Sequence, residues 1–205
     1  RPVMHRDEIR RPIWDRIVAA ADRYNDPGKF TAFIGYEYTS APNRNNLHRV
    51  VMFRDGGDKA GKVLPLSAVE SSDPEQLWAY LENYEKTTGG RALAIPHNGN
   101  LSNGRMFDDV TFTGAPLTAD YARRRQRWEP LYEVTQIKGD GETHPLLSTR
   151  DEFADYYRWD RGNFGTELKA PAMLPREYAR HALQRGLAYE AKLGVNPFKF
   201  GMIGS

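Results

Sequence analysis

The sequence predicts an α/β fold, because strand-like and helix-like segments alternate along its 205 residues. Short apolar runs rich in β-branched and aromatic residues are typical of buried strands, and longer segments with helical spacing lie between them. An alternation of this kind indicates βα units, so we expect a parallel sheet or a barrel. In such folds, functional side chains gather in the loops at the carboxyl ends of the strands.

The helices are predicted from their ends as well as from their periodicity. Residues 7–24 have helical spacing and stop at Asn25. A second helix begins at Asp73-Pro74, a capping residue followed by proline in the first turn, and ends at Gly89-Gly90. The other predicted helices are residues 118–128 and 175–193, and the predicted strands are residues 30–38, 48–53, 91–95, 131–137 and 198–203.

Two of these helices carry an apolar stripe that we expect to face the core. The stripe of the first helix is Ile9, Ile13, Ile17 and Val18. The stripe of the last helix is Tyr178, Ala182, Leu183, Leu187 and Ala188.

Composition excludes several classes of protein. The net charge of +2 is too small to indicate nucleic-acid binding, and the densest basic run, residues 123–125, is interpreted as a solvated helix face. The absence of cysteine excludes disulfides and thiolate metal ligands. No apolar run is long enough to span a bilayer, so we expect a soluble protein of the cytoplasm or periplasm.

Three potential metal ligands lie at the ends of predicted strands. Glu37 follows the apolar run of residues 33–36, His48 begins the next strand, and His97 follows the run of residues 92–96. Two adjacent strands joined by a short loop can bring Glu37 and His48 to one rim. Carboxylate and imidazole together suit Zn, Mn or Fe.

Each of these residues also has a structural interpretation. Glu37 could form an ion pair with Arg44 or Arg49, since an isolated buried carboxylate is costly. A single buried histidine such as His48 is more often hydrogen-bonded than metal-bound.

A glycine-rich segment after the fourth strand is a second candidate region. It contains Lys138 and Asp140, followed by Glu142, Thr143 and His144. Backbone N–H groups and Lys138 could bind an anionic substrate there. The alternative interpretation is a solvated, charged turn.

Four stretches of the chain resemble the PHP superfamily of metal-dependent phosphoesterases, and more specifically the domain of unknown function 3604 within it. The matching stretches are residues 27–40, 46–55, 95–100 and 136–145. In this resemblance Glu37 corresponds to a glutamate that bridges two metals, and His48 and His97 correspond to metal-ligating histidines. Asn98 stands where the superfamily usually has proline after the histidine.

The resemblance implies an irregular βα barrel, of which residues 1–205 would be one central segment, cut at both ends. The His-x-His and Asp-x-His motifs that usually open and close the superfamily's ligand set are absent from the sequence. It further implies a hydrolase, a phosphoesterase above all, that uses metal-activated water at a two- or three-metal site. Arg49, Lys138 and His144 are the residues we expect to contact a small anionic substrate.

Two alternative functions remain open from the sequence. One is a PHP-like domain that has lost catalysis and serves binding or structure. The other is hydrolysis of a non-phosphate ester or amide, because related barrels use similar ligands on those bonds.

Overall fold

The first three strands form an antiparallel sheet in the computed structural model, which describes residues 6–204. Strand β1 (Ile34–Tyr38) pairs with β2 (Arg49–Phe53), and β2 pairs with β3 (Ala92–Pro96). Strands β4 (Leu131–Thr135) and β5 (Gly201–Gly204) form a parallel pair. A parallel bridge between His97 and Glu133 joins β3 to β4.

The α/β class is confirmed, but the expectation of a wholly parallel sheet is wrong. Residues 39–48 connect β1 to β2 through a single 3₁₀ turn, Pro42–Arg44, and this link is too short for the crossover that parallel strands need. Within the described residues the strands make two small sheets and no closed barrel.

The described residues form five α-helices, and the ends of the third follow the predicted signals. Asp73 caps the third helix by accepting a hydrogen bond from the Glu75 N–H at 2.9 Å, and Gly89 closes it in the left-handed conformation. The helices are α1 (Asp7–Tyr24), α2 (Gly57–Ala60), α3 (Pro74–Thr88), α4 (Ala119–Trp128) and α5 (Ala179–Leu193). Two further 3₁₀ turns are Gly99–Leu101 and Pro171–Arg176.

Both predicted helix stripes are partly wrong. In α1 the buried residues are Trp14 and Val18, whereas Ile13 and Ile17 are exposed. In α5 the contact face passes through Ala182 and Gly186. A Cβ on Gly186 would lie 2.2 Å from Oδ1 of the buried Asn196. In each helix, therefore, one closely packed residue is not aliphatic: Trp14 in α1 and Gly186 in α5. Aliphatic periodicity does not indicate either of them.

Two hydrophobic clusters lie beneath the strands. The first joins α1 and α3 to one face of the antiparallel sheet through Trp14, Leu77, Val51 and Phe53. The second joins β4 to α5 and includes Phe107 and Phe198. Because side chains alternate along a strand, the face of the sheet that carries Glu37 points away from the first cluster.

No helix in residues 6–204 is both long and apolar enough to cross a membrane.

Candidate metal centre

Glu37, His48 and His97 meet at one edge of the antiparallel sheet. Glu37 is the penultimate residue of β1, His48 directly precedes β2, and His97 directly follows β3. In an antiparallel sheet, the carboxyl ends of the outer strands lie beside the amino end of the middle strand. The antiparallel pairing of β1, β2 and β3, which contradicts the predicted parallel sheet, therefore brings the three side chains together.

One carboxylate oxygen of Glu37 contacts both imidazoles. Oε1 lies 3.1 Å from His48 Nδ1 and 3.1 Å from His97 Nε2. One potential ligand atom from each of the three residues lies within 4.8 Å of the others. Donor atoms around a single transition-metal ion are roughly 2.8–3.6 Å apart, because each metal bond is about 2.0–2.2 Å long. The spacing fits a metal centre, although 3.1 Å is also a hydrogen-bond distance.

The two histidines are buried and the carboxylate is open to solvent. The side chains of His48 and His97 are 10% and 4% exposed, whereas that of Glu37 is 46% exposed. Thr39 Oγ1 donates a hydrogen bond to Glu37 Oε2 at 3.1 Å. His48 Nε2 and His97 Nδ1 are buried without a hydrogen-bond partner among the described residues. The protein alone does not satisfy these rings, and solvent has a path to the carboxylate they share.

Electrostatics favours the protonation states that a metal centre needs. Burial by itself raises the pKa of Glu37, but the neighbouring His48 and His97 and the Thr39 hydrogen bond outweigh it, and the pKa is lowered. Burial lowers the pKa of His48, with Glu37 opposing the shift. Near neutral pH the carboxylate is ionised and the His48 ring is neutral, as ligation requires.

The turn after β3 holds His97 in place. Asn98 adopts the left-handed conformation at φ 51°, which asparagine tolerates better than most residues. The Gly99 N–H donates to the Tyr132 hydroxyl at 2.9 Å. A Cβ on Gly99 would lie 2.3 Å from the Glu177 carbonyl oxygen. The chain can therefore turn this tightly against its neighbours only with glycine at this position.

A sequence profile of one family, described as a protein of unknown function (DUF3604), matches residues 2–205. The chain belongs to this family. No curated protein and no solved structure matches it. The domain of unknown function predicted from the four stretches is thereby confirmed.

Lys138 is the predicted substrate residue that this DUF3604 protein places near the centre. It is half-buried, and its charge contributes to lowering the pKa of His48. Asn100 fixes the backbone there, because its Nδ2 donates to the Lys138 carbonyl oxygen at 2.9 Å. Asn100 is fully buried, three residues beyond His97. The short segment from His97 to Asn100 therefore helps to position both His97 and Lys138.

Arg49 lies on the other face of the sheet. Consecutive residues of a strand point to opposite faces, so Arg49 is directed away from the side that carries His48. Its side chain is 2% exposed, and its Nε donates to Glu129 Oε1 at 2.9 Å. The alternative ion pair between Arg49 and Glu37 does not fit this placement, and the predicted substrate contact of Arg49 remains a prediction without geometric support.

His144 has both ring nitrogens occupied within the DUF3604 fold. Nε2 lies 2.7 Å from Asp160 Oδ2, and Nδ1 accepts a hydrogen bond from the Leu146 N–H at 3.1 Å. The residue is 3% exposed. In this arrangement His144 holds together the long loop that follows β4, residues 136–170, and presents no free nitrogen to a substrate. Its predicted catalytic role remains a prediction without geometric support.

Sequence reasoning missed two residues beside the centre. Asn46 Oδ1 accepts a hydrogen bond from the His48 N–H at 2.7 Å, which orients the entry to β2. The ring of Phe164 lies 5.4 Å from that of His48. Asn46 could have been found as a polar residue two positions before a candidate ligand. Phe164 is far away in the sequence, and no local pattern indicates its contact.

Proposed function

We propose that this DUF3604 protein is a metal-dependent hydrolase whose centre is built on Glu37, His48 and His97. The observation that carries the proposal is the shared carboxylate oxygen, 3.1 Å from one nitrogen of each buried imidazole. The substrate class is a small anionic ester, with a phosphoester favoured by the resemblance to PHP phosphoesterases. The proposal includes membership of the PHP superfamily and a barrel of that type.

The donor set favours a borderline transition metal. One carboxylate and two imidazoles are ligands for Zn, Mn or Fe, and the sequence has no cysteine to compete. Three protein ligands leave coordination positions free for water or substrate, as catalytic sites require. The exposed side of Glu37 gives access to those positions.

In the proposed mechanism the protein residues would hold the metal ion, orient the substrate and neutralise part of its negative charge. A divalent cation bound here supplies Lewis acidity, which lowers the pKa of water toward neutrality and offsets charge developing on the ester oxygens. The His48 and His97 rings, fixed by burial, set the position of the reacting centre. Lys138 supplies a positive charge near His48 that attracts an anionic ester.

A second candidate is a DUF3604 domain that binds metal without catalysis. One observation favours it: residues 6–204 contain a single group of three potential ligands, whereas the resemblance implies two or three metals. The two candidates predict the same metal binding and differ in turnover.

The test is hydrolysis by the chain loaded with Mn²⁺ or Zn²⁺. Chromogenic phosphate mono- and diesters are compared with carboxylic esters and amides. We expect release of the chromogenic leaving group from the phosphoesters, which a chelator abolishes and which His97→Ala lowers by roughly 100-fold or more, as loss of a ligand should. His181→Ala is the matched control, because His181 lies on α5 outside the centre.

Two outcomes would contradict the hydrolase. Metal binding without hydrolysis of any of these substrates supports the non-catalytic candidate instead. Hydrolysis that survives chelation and His97→Ala places the activity elsewhere in the protein. Hydrolysis of carboxylic esters or amides alone would support the metal centre but contradict the assignment to phosphoesters.

A further inference from the structure

A small hairpin within the long loop presents Phe164. Gly162 and Leu168 form an antiparallel bridge, and the Lys169 N–H donates to the Arg161 carbonyl oxygen at 3.2 Å. Phe164 lies in the turn between these paired residues. The hairpin therefore gives a defined position to a residue in a region otherwise poor in regular structure.

The hairpin tip is anchored to the segment that leads into His48. Asn163 Nδ2 donates to the Asn43 carbonyl oxygen at 3.1 Å and to Asn45 Oδ1 at 2.8 Å. The Phe164 N–H donates to the Arg44 carbonyl oxygen at 3.0 Å. Asn43 and Arg44 both have positive φ, 51° and 65°, a conformation that costs free energy outside glycine. The backbone is therefore locally strained at Asn43 and Arg44, the residues that hold the hairpin beside the candidate centre.

Phe164 packs on a candidate ligand and remains accessible. Its ring centroid is 5.4 Å from that of His48, with the planes inclined at 33°. The residue is 39% exposed and belongs to neither hydrophobic cluster. A phenylalanine held this firmly yet left partly in water contributes little to core stability. Its position beside His48 favours a role at the site.

We propose that Phe164 is a specificity-determining residue, the aromatic wall against which a substrate ring binds when the anionic group is at the metal centre. The inference rests on the proposed function and names its substrate class as phosphoesters that carry an aromatic ring beside the phosphate. Lys138 and the metal recognise the charge, and Phe164 recognises the ring. Offset or edge contacts between two aromatic rings stabilise such a complex beyond the area they bury.

The test uses two probes that differ only in the ring. Phenylphosphonate and methylphosphonate are not hydrolysed, so binding to the Mn²⁺-loaded chain is measured directly by calorimetry, at a pH above the second pKa of both compounds, where each is a dianion. We expect phenylphosphonate to bind about 3- to 10-fold more tightly, the range that one aromatic pair provides. Phe164→Ala should abolish this preference, and Phe164→Leu should keep only part of it.

Phe153→Ala is the matched control. Phe153 lies in the same loop and is 73% exposed, but its N–H is held by Asp151 Oδ1 rather than by the segment before His48. This variant should retain the full preference. Bound metal is measured for every variant, because a loss of metal in Phe164→Ala would contradict the assignment and indicate that Phe164 only shields His48.

The two proposals fail in different ways. If the wild-type chain binds no metal, the proposed function is overturned and this inference with it. If metal is bound and both phosphonates bind equally, or if Phe164→Ala keeps the preference, the inference about Phe164 alone is overturned. Hydrolysis of the chromogenic esters would still stand in that case.

Discussion

The buried histidines His48, His97 and His144 have different hydrogen-bonding environments. His144 uses both ring nitrogens, with Asp160 and the Leu146 N–H as partners. His48 and His97 each direct one nitrogen to Glu37 and leave the other buried without a partner in the described part of the chain. Satisfied rings stabilise a fold, whereas incompletely satisfied rings beside a carboxylate are suited to binding an ion.

Substitution of His144 separates a structural role from a catalytic one. His144→Ala removes two hydrogen bonds and a buried ring, so we expect a loss of about 1–3 kcal/mol in the free energy of unfolding, measured by urea titration. Metal content should be unchanged, because His144 is not among the clustered ligands. His181→Ala serves as the control with little effect. Unchanged stability together with lost hydrolysis would restore the catalytic role predicted from the sequence.

At the scale of residues, the sequence is informative about the three clustered side chains and less informative about their neighbours. Glu37, His48 and His97 could be selected because each stands at a strand end, and the structure brings them together. Arg49 is predicted to contact the substrate, but the alternation of side chains along β2 directs it away from His48. Phe164 could not be selected, because its contact depends on the packing of a distant hairpin.

The individual elements were predicted well where a local signal marks their ends. Helix α3 has its Asp73 cap, its first-turn proline and its terminal glycine where expected. Strand direction has no such local signal. Residues 54–91, which include α2 and α3, separate β2 from β3, yet those strands are antiparallel, so the presence of intervening helices does not decide direction. Direction depends on how the whole chain packs.

The turn that carries His97 gives a prediction for an element. Gly99→Ala would place a methyl group against the Glu177 backbone and the Tyr132 hydroxyl, 2.3 Å and 2.6 Å away. We expect lower stability and weaker metal binding, because the turn must move and take His97 with it. Gly89→Ala is the contrast: it has open space around it but φ 67°, so it should cost about 1–2 kcal/mol without changing metal affinity. Unaltered metal affinity in Gly99→Ala would contradict this account.

At the scale of the whole molecule, a buried ion-pair network connects the sheet with two helices. Glu129 contacts Arg49 of β2 and Arg125 of α4, and it accepts a hydrogen bond from Trp78 Nε1 of α3 at 2.9 Å. Burial alone raises the pKa of Glu129, but Arg49 and Arg125 outweigh it and lower the pKa. Loss of this carboxylate leaves two buried guanidinium groups without a counter-charge.

Glu129→Gln is therefore expected to destabilise the whole fold by about 3–5 kcal/mol. Since the pKa is lowered on folding, the stabilisation by Glu129 is complete above its unfolded pKa of about 4.3 and is lost as pH falls through the folded value. Unfolding of wild type and variant is compared from pH 7 to pH 3. The free energies of unfolding of wild type and variant should differ at neutral pH and approach each other in acid. A pH-independent difference would contradict the ion-pair account.

The central claim is that Glu37, His48 and His97 bind a divalent metal ion, and isothermal titration with Mn²⁺ or Zn²⁺ tests it most directly. We expect the wild-type chain to bind a single ion at this centre, and Glu37→Ala and His97→Ala each to lose it while remaining folded by circular dichroism. His181→Ala should bind as the wild type does. Metal binding that is unchanged in both Glu37→Ala and His97→Ala would contradict the claim.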